Sequence, residues 1–200
     1  MNAILPCVYL IRHGETEWSR AGRHTGSTDL PLTKQGEAMA RRLRPLLANL
    51  AFAQVLSSPM QRARATCDLA GLGAQAEISV DLSEWDYGNY EGRSSAEICL
   101  ETPGWNVFRD GCPGGETPDQ VSARADRLIA GLRASNANIA VFSHGQFGCA
   151  LAVRWIGVAI VEGQHFALDP ASMSILGPKP GHPHIPVISQ WNVRPSAQLE

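Results

Sequence analysis

Short apolar runs alternate with stretches of helical periodicity along this chain, a pattern that predicts an α/β fold. Val8-Tyr9-Leu10-Ile11 is a continuous run rich in β-branched residues, as expected of a strand buried on both faces. Thr33 is placed to cap a helix from Lys34, in which Met39, Leu43, Leu46, Leu47 and Leu50 recur at helical spacing. Pro45 falls inside that pattern and predicts a kink or an early end. Gln54 to Ser57 reads as a second strand. Ser58-Pro59 reads as the cap and first residue of a helix to about Ala70. Thr117-Pro118-Asp119-Gln120 is a capping box, and behind it Val121, Ala125, Leu128, Ile129 and Leu132 share one helical face. Ile139 to Phe142 predicts another buried strand, followed by a helix from Gly145 through Trp155. Ser172–Leu176 and Val187–Trp191 read as two further strands, with Gly177–Pro186 as a loop between them. Residues 86–116 break the rhythm, being rich in Gly and aromatics, with one short helix expected near Ser95–Leu100. The expected architecture is a three-layer sandwich, with a mostly parallel central sheet and helices on both faces. A single domain over residues 1–200 is expected, with an insertion at about 86–116 placed to cover a functional site.

Composition narrows the classes. With 44% apolar and 18% charged residues, the 200-residue chain has the makings of a real core and is not disordered. Seventeen Lys and Arg against 19 Asp and Glu leave a net charge of −2, which offers no general attraction for nucleic acid or an anionic membrane. The five cysteines are odd in number, widely spaced and without a CxxC pair, against a disulfide framework or structural zinc. A reducing cytoplasm is the expected location. The apolar run Ala3–Ile11 is interrupted by Pro6, lacks a basic flank and falls short of the roughly 20 residues of a membrane span. The composition leaves homo-oligomerisation open.

Two strands end in the same kind of tripeptide, Arg12-His13-Gly14 and Ser143-His144-Gly145, and Arg62 lies in the first turn of the helix after a third strand. Ligands of open α/β sheets collect beyond the carboxyl ends of the strands. Two histidines, two arginines and helix N-termini gathered there favour a tetrahedral dianion, and phosphate fits the forked geometry of arginine.

The ordered set of motifs resembles the histidine phosphatase superfamily, which includes the cofactor-dependent phosphoglycerate mutases. The resemblance starts at Leu10-Ile11-Arg12-His13-Gly14-Glu15-Thr16 and continues through Thr25-Gly26, Asp29-Leu30-Pro31-Leu32-Thr33, Ser57-Ser58-Pro59 and Arg62-Ala63. It runs on through Glu84, Tyr87-Gly88 and Gly115-Glu116 to His144-Gly145. It implies a phosphoglycerate mutase-like fold and a phosphatase acting through a phosphohistidine on His13. Arg12, Arg62 and His144 would hold the phosphoryl oxygens. Glu84 would give a proton to the leaving alcohol and later take one from water. Asp86 and Glu91 are rival carboxylates in the same loop. Ser19, Thr25, Gly26, Tyr87 and Arg109 are further candidate substrate-binding residues, with Arg93 and Arg23 as other cations for a second phosphate. Neither cofactor nor metal is expected, since two arginines and two histidines can neutralise a phosphoryl group and no magnesium-type acidic cluster stands among the motifs.

Departures from the family pattern sharpen the reading. Ser19 stands where mutase-type members carry Asn, Ser143 where Ala is common, and the basic stretch of the mutases' insertion is absent. Hydrolysis is therefore expected over mutase activity. The segment Glu84–Gly92, with Trp105-Asn106 and Arg109–Cys112, looks like the subgroup containing the fungal sedoheptulose-1,7-bisphosphatase. Yet Gln146–Val153 carries no charge where that enzyme is expected to place a basic residue. Sugar bisphosphates and simpler sugar phosphates or phosphomonoesters both remain open as substrates. A catalytically silent phospho-ligand module would have lost some of Arg12, His13, Arg62, Glu84 and His144, and all five are present. His182 and His184 lie two apart in a Pro-rich stretch, with no third metal ligand evident.

Overall fold

The computed structural model describes residues 4–135 and 137–195, so that Ala3 of the N-terminal apolar run lies outside the described residues. The strands are β1 (Val8–Arg12), β2 (Gln54–Ser57), β3 (Ala76–Ile78), β4 (Ile139–Ser143), β5 (Met173–Lys179) and β6 (His182–Val193). The helices are α1 (Glu17–Arg20), α2 (Lys34–Arg42), α3 (Arg44–Leu47), α4 (Gln61–Leu69), α5 (Ser95–Glu101), α6 (Val107–Asp110), α7 (Pro118–Leu132) and α8 (Gly145–Trp155). The sheet runs β3-β2-β4-β1-β5-β6, parallel from β3 to β1 and antiparallel from β1 to β6.

Strand pleating divides the core. Val8, Leu10, Ile139 and Val141 pack on one face with Val121, Leu128, Leu151 and Trp155 of α7 and α8. Ile11, Val55, Ala140 and Phe142 face the other way, onto Leu43, Leu47 and Cys67 of the α2–α4 side. Both faces of the parallel strands are thus covered, which is why their sequences read as unbroken apolar runs. Pro45 acts as expected: α2 ends at Arg42, and α3 restarts with the proline in its first turn.

Two expectations are corrected. The stretch Gly177–Pro186 is a β5–β6 hairpin rather than a loop, with Gly177 opposite Val187 and Pro178 opposite Pro186. β6 is the edge strand, where a missing proline N–H breaks no central ladder, and Gly181 (φ +75°) makes the reversal. The helix after β2 starts at Gln61, not Pro59. Its N-terminus is satisfied in part from elsewhere, since Gln61 N–H donates to Asp29 Oδ1 at 2.8 Å, while Ser58 Oγ accepts from Met60 N–H at 3.3 Å and also reaches the site.

Residues 86–116 form a closed excursion. Glu116 N–H donates to Asp86 O at 2.9 Å, and Asp86 N–H donates to Glu116 Oε2 at 3.0 Å, so its two ends are pinned together. Arg124 of α7 then locks Glu116 with a 2.7 Å ion pair and donates to the backbone oxygens of Asp81, Ser83 and Glu84. Among the described residues, no helix is long and apolar enough to cross a membrane.

Candidate active site

β1 and β4 are parallel neighbours with Arg12 opposite Ser143, so the residues that follow, His13 and His144, emerge at the same sheet edge. His13 N–H donates to Ser143 O at 3.0 Å, and the two imidazoles lie 5.1 Å apart, edge to face. β2 ends beside them, with Ser58 N–H on Phe142 O. The turn after His13 is packed backbone to backbone. A Cβ on Gly14 would sit 2.5 Å from Gly36 O, so only glycine fits there. Thr66 of α4 fixes the turn by accepting from Gly14 N–H at 2.9 Å.

The hydrogen bonds assign different work to the two histidines. His13 Nδ1 is 2.7 Å from Gly14 O, a group that can only accept, so the proton sits on Nδ1 and Nε2 keeps its lone pair. Burial, then the charges of Arg12 and Arg62, push the His13 pKa well below the usual histidine value, with the Gly14 bond opposing. The ring is neutral, with an unprotonated Nε2. His144 has both nitrogens engaged: Nδ1 accepts from Arg62 Nε–H at 3.2 Å, which leaves Nε2 to donate to Ser58 Oγ at 2.8 Å. Burial, then Arg62, also hold its pKa well below normal.

Arg62 is fully buried. Besides His144 it donates to Thr25 O, Gly26 O and Thr28 O at 2.9–3.1 Å, which commits four of its five N–H donors. The carbonyls that grip it belong to a loop shaped by Glu91, whose carboxylate accepts from Gly26 N–H and Thr28 N–H. Arg62 and His144 therefore stand behind His13 rather than on the cavity wall.

Arg12, His13 and Glu84 do line the cavity, which has a volume of about 380 Å³. Arg12 donates from one terminal nitrogen to Leu168 O, while its buried Nε has no partner among the described residues. Burial lowers the Arg12 pKa, and the Glu84 charge opposes that shift. Glu84 sits against the N-terminus of α8. Its Oε1 accepts from Trp85 N–H and Phe147 N–H at 2.9 and 2.7 Å, and its Oε2 accepts from Gln146 N–H at 3.0 Å. These contacts place the carboxylate where the helix dipole favours it.

Of the other candidates, Ser19, Thr25 and Tyr87 are on the wall. The Ser19 hydroxyl closes a capping box with Thr16 on α1. Gly26 is not on the wall; it belongs to the Arg62 cradle. Arg109 is corrected outright. It is exposed, paired with Asp110 at 2.7 Å and bonded to Gly104 O, and it lines neither this cavity nor its neighbour. Arg93 likewise pairs outward with Glu101. The rival carboxylates are committed elsewhere, Asp86 to Gly88 N–H and Glu91 to the Thr25–Thr28 loop, and neither lines the cavity.

Sequence reasoning missed several wall residues: Gln146, Cys149, Phe166, Leu168 and Asp169. They come from α8 and the segment before β5, which carry no motif. Burial pushes the Cys149 thiol up to about 12, so it is no nucleophile. His24 is also on the wall. It stacks on Tyr87 at 4.6 Å and bonds Ser95 Oγ at 3.1 Å. Burial lowers its pKa to about 4, against the pull of Glu91. Among the described residues no group of three His, Cys, Asp or Glu is arranged to hold a metal.

Three neutral imidazoles make stability depend on pH. The unfolded histidines take up protons below about 6.5, whereas native His13, His144 and His24 resist doing so. Their contribution is complete above that value and is lost as the pH falls, by about 1.4 kcal/mol per unit for each group. Urea unfolding at pH 7.5 and 5.5 is expected to show lower stability at pH 5.5, by at most about 4 kcal/mol across the three. Equal stability at the two values would mean that these rings take up protons as readily in the native state as in the unfolded chain.

With this geometry in place, comparison with known proteins is decisive. Residues 8–192 match the model of the histidine phosphatase superfamily, branch 1. The chain belongs to that superfamily. It is 41% identical over 172 residues to an acid phosphatase of Mycobacterium tuberculosis, covering 84% of each chain. It is 37% identical over 195 residues to the sedoheptulose 1,7-bisphosphatase of Saccharomyces cerevisiae, covering 80% of this chain and 71% of that one. The solved structure of an open reading frame of Mycobacterium tuberculosis superposes with a TM-score of 0.88 at 36% identity, over 95% of this chain and 98% of the other. The sequence resemblance and the phosphoglycerate mutase-like α/β fold are both upheld.

Proposed function

We propose that this histidine phosphatase hydrolyses a small sugar phosphate through a phosphohistidine on His13. Membership of the superfamily, with phosphatases among its relatives, makes the chain a phosphoric monoester hydrolase. One observation carries the mechanistic reading: His13 lines the cavity as a neutral ring with Nδ1 tied to Gly14 O. Its Nε2 lone pair attacks phosphorus as the bond to the ester oxygen breaks. Arg12 meets the phosphoryl oxygens at the wall, and Arg62 and His144 support His13 from behind with charge and position. Glu84 gives its proton to the departing alkoxide. Its Oε2, holding a single backbone N–H, is the oxygen with capacity left to carry that proton. Water then attacks the phosphohistidine, Glu84 takes its proton, and inorganic phosphate leaves.

The reading extends to one domain over residues 1–200, with 86–116 as the cover of the site. It places the protein in a reducing cytoplasm, where its five free thiols would persist. A phosphoglycerate mutase is the competing activity. Incubation with sugar monophosphates and with phosphoglycerate, followed for both free phosphate and isomerised product, separates the two. Phosphate release is expected to dominate. Isomerisation without release would overturn hydrolysis.

A further inference from the structure

The catalytic cavity opens beside a second one of about 280 Å³, and the two share His24, Ser95, Gln146 and Phe166 in their walls. The second chamber is distinctive in its chemistry. It is walled by four rings, His24, Trp105, Phe108 and Phe166, and three carboxamides, Asn106, Gln146 and Gln164. Among the described residues no Asp, Glu, Lys or Arg lines it. Its polar groups are held in place: Asn106 donates to Gln164 Oε1 at 3.1 Å, and the Asn106 oxygen caps α6 by accepting from Phe108 N–H. Trp105 is fixed by donating to Gly111 O at 2.9 Å, with His24 edge-on at 5.4 Å.

The first cavity offers a second anion little free cationic charge. Arg12 faces the reacting phosphoryl group, and among the described residues the only other arginine on the wall is Arg23, which shares it with the carboxylates Glu84 and Asp169. Arg23, the cation away from the reaction centre, is already bonded to Gly92 O at 2.6 Å and lies 3.6 Å from Glu97. A second phosphate would bring nearly two negative charges to this wall. Carboxamides both donate and accept, as hydroxyl groups require. Aromatic rings present apolar faces to the C–H faces of a sugar ring.

We propose that the second chamber is the subsite for an uncharged, hydroxyl-rich group attached to the reacting phosphate, so that the enzyme selects sugar or glycoside monophosphates over bisphosphates. This inference rests on the phosphatase reading and names its substrate class. It sets aside the bisphosphate alternative left open by the sequence.

The test measures kcat/KM for glycerol phosphate, fructose 6-phosphate, fructose 1,6-bisphosphate, trehalose 6-phosphate and adenosine monophosphate. The expected order rises from glycerol phosphate through the hexose to the disaccharide ester. Fructose 6-phosphate should exceed its bisphosphate by about tenfold or more. Gln164→Ala should lower the ratio of the disaccharide ester to glycerol phosphate by about three- to tenfold, the loss of one hydrogen bond. Gln146→Arg, which adds a cation where the chambers meet, should raise the bisphosphate relative to the monophosphate. Preference for the bisphosphate or the nucleotide, or a ratio unmoved by Gln164→Ala, overturns the subsite while leaving the phosphatase reading intact. Binding of the same esters is followed on His13→Ala, which cannot turn over. If the parent releases no phosphate but His13→Ala binds the esters in the expected order, hydrolysis falls and the subsite stands. If the esters bind without that order, the subsite falls.

Discussion

His13→Ala is expected to abolish turnover and acid-labile phosphate labelling together. Loss of a nucleophile costs on the order of 10⁴-fold or more, because the remaining groups can only bind and polarise the ester. The structure excludes the obvious substitute. His144 is 5.1 Å away but has its nitrogens engaged by Arg62 and Ser58, and it does not line the cavity. Rapid-quench labelling with a radiolabelled ester checks this. A His13→Ala protein that still takes up label, or a His144→Ala protein that alone loses it, would transfer the nucleophile to the other ring. His144→Ala is expected instead to slow labelling without preventing it, since Arg62 loses one of its four anchors.

Glu84→Gln should slow hydrolysis of alkyl phosphates by about 10²–10⁴-fold, the usual worth of general acid–base help. The amide cannot donate a carboxylic proton. A phenolate leaving group needs less protonation, so the phosphorylation step with an aryl phosphate should suffer much less. That contrast matters because the substitution also has a structural cost. Both Glu84 oxygens accept backbone N–H groups, and an amide nitrogen in place of Oε2 would face the Gln146 N–H donor to donor. The local cost is about 1–3 kcal/mol of stability. A purely structural defect would slow both classes of ester alike. Asp86→Asn and Glu91→Gln complete the comparison. Asp86 bonds Gly88 N–H, so its variant should behave like the parent. Glu91 shapes the loop whose carbonyls hold Arg62, so its variant should be slower on both ester classes without leaving-group dependence. If the leaving-group effect appears in Asp86→Asn or Glu91→Gln and not in Glu84→Gln, the acid is misassigned.

Both histidines were legible in the chain because the same local grammar, a buried apolar run ending in a polar residue, His and Gly, occurs at β1 and again at β4. Parallel pairing of the two strands then brings them to one edge. The Thr117 capping box and the break at Pro45 were equally local and were realised as read. What failed was nonlocal. Asp29, 32 residues upstream, accepts from the first N–H of α4, and His144 reaches Ser58 from the end of β4, and no pattern around Pro59 encodes either contact. The Pro-rich stretch before Val187 pairs as strand because β6 lies at the edge of the sheet, a position that depends on the strand order. Arg109 seemed a candidate cation by its place in the insertion, but its neighbour Asp110 and the Gly104 carbonyl turn it outward.

The sequence by itself determined the fold class and marked His13 and Glu84 as the proposed nucleophile and acid, because each is carried by a contiguous motif that can be read without distant partners. Only the tertiary structure decided that Arg62 and His144 are buried together beside His13, joined by a hydrogen bond. It alone decided that the second chamber is walled by rings and carboxamides from His24 and the Ser95–Phe108, Gln146 and Gln164–Phe166 segments. A wall assembled from separate segments has no period and no spacing in one dimension, and its charge exists as a property only after the chain has folded.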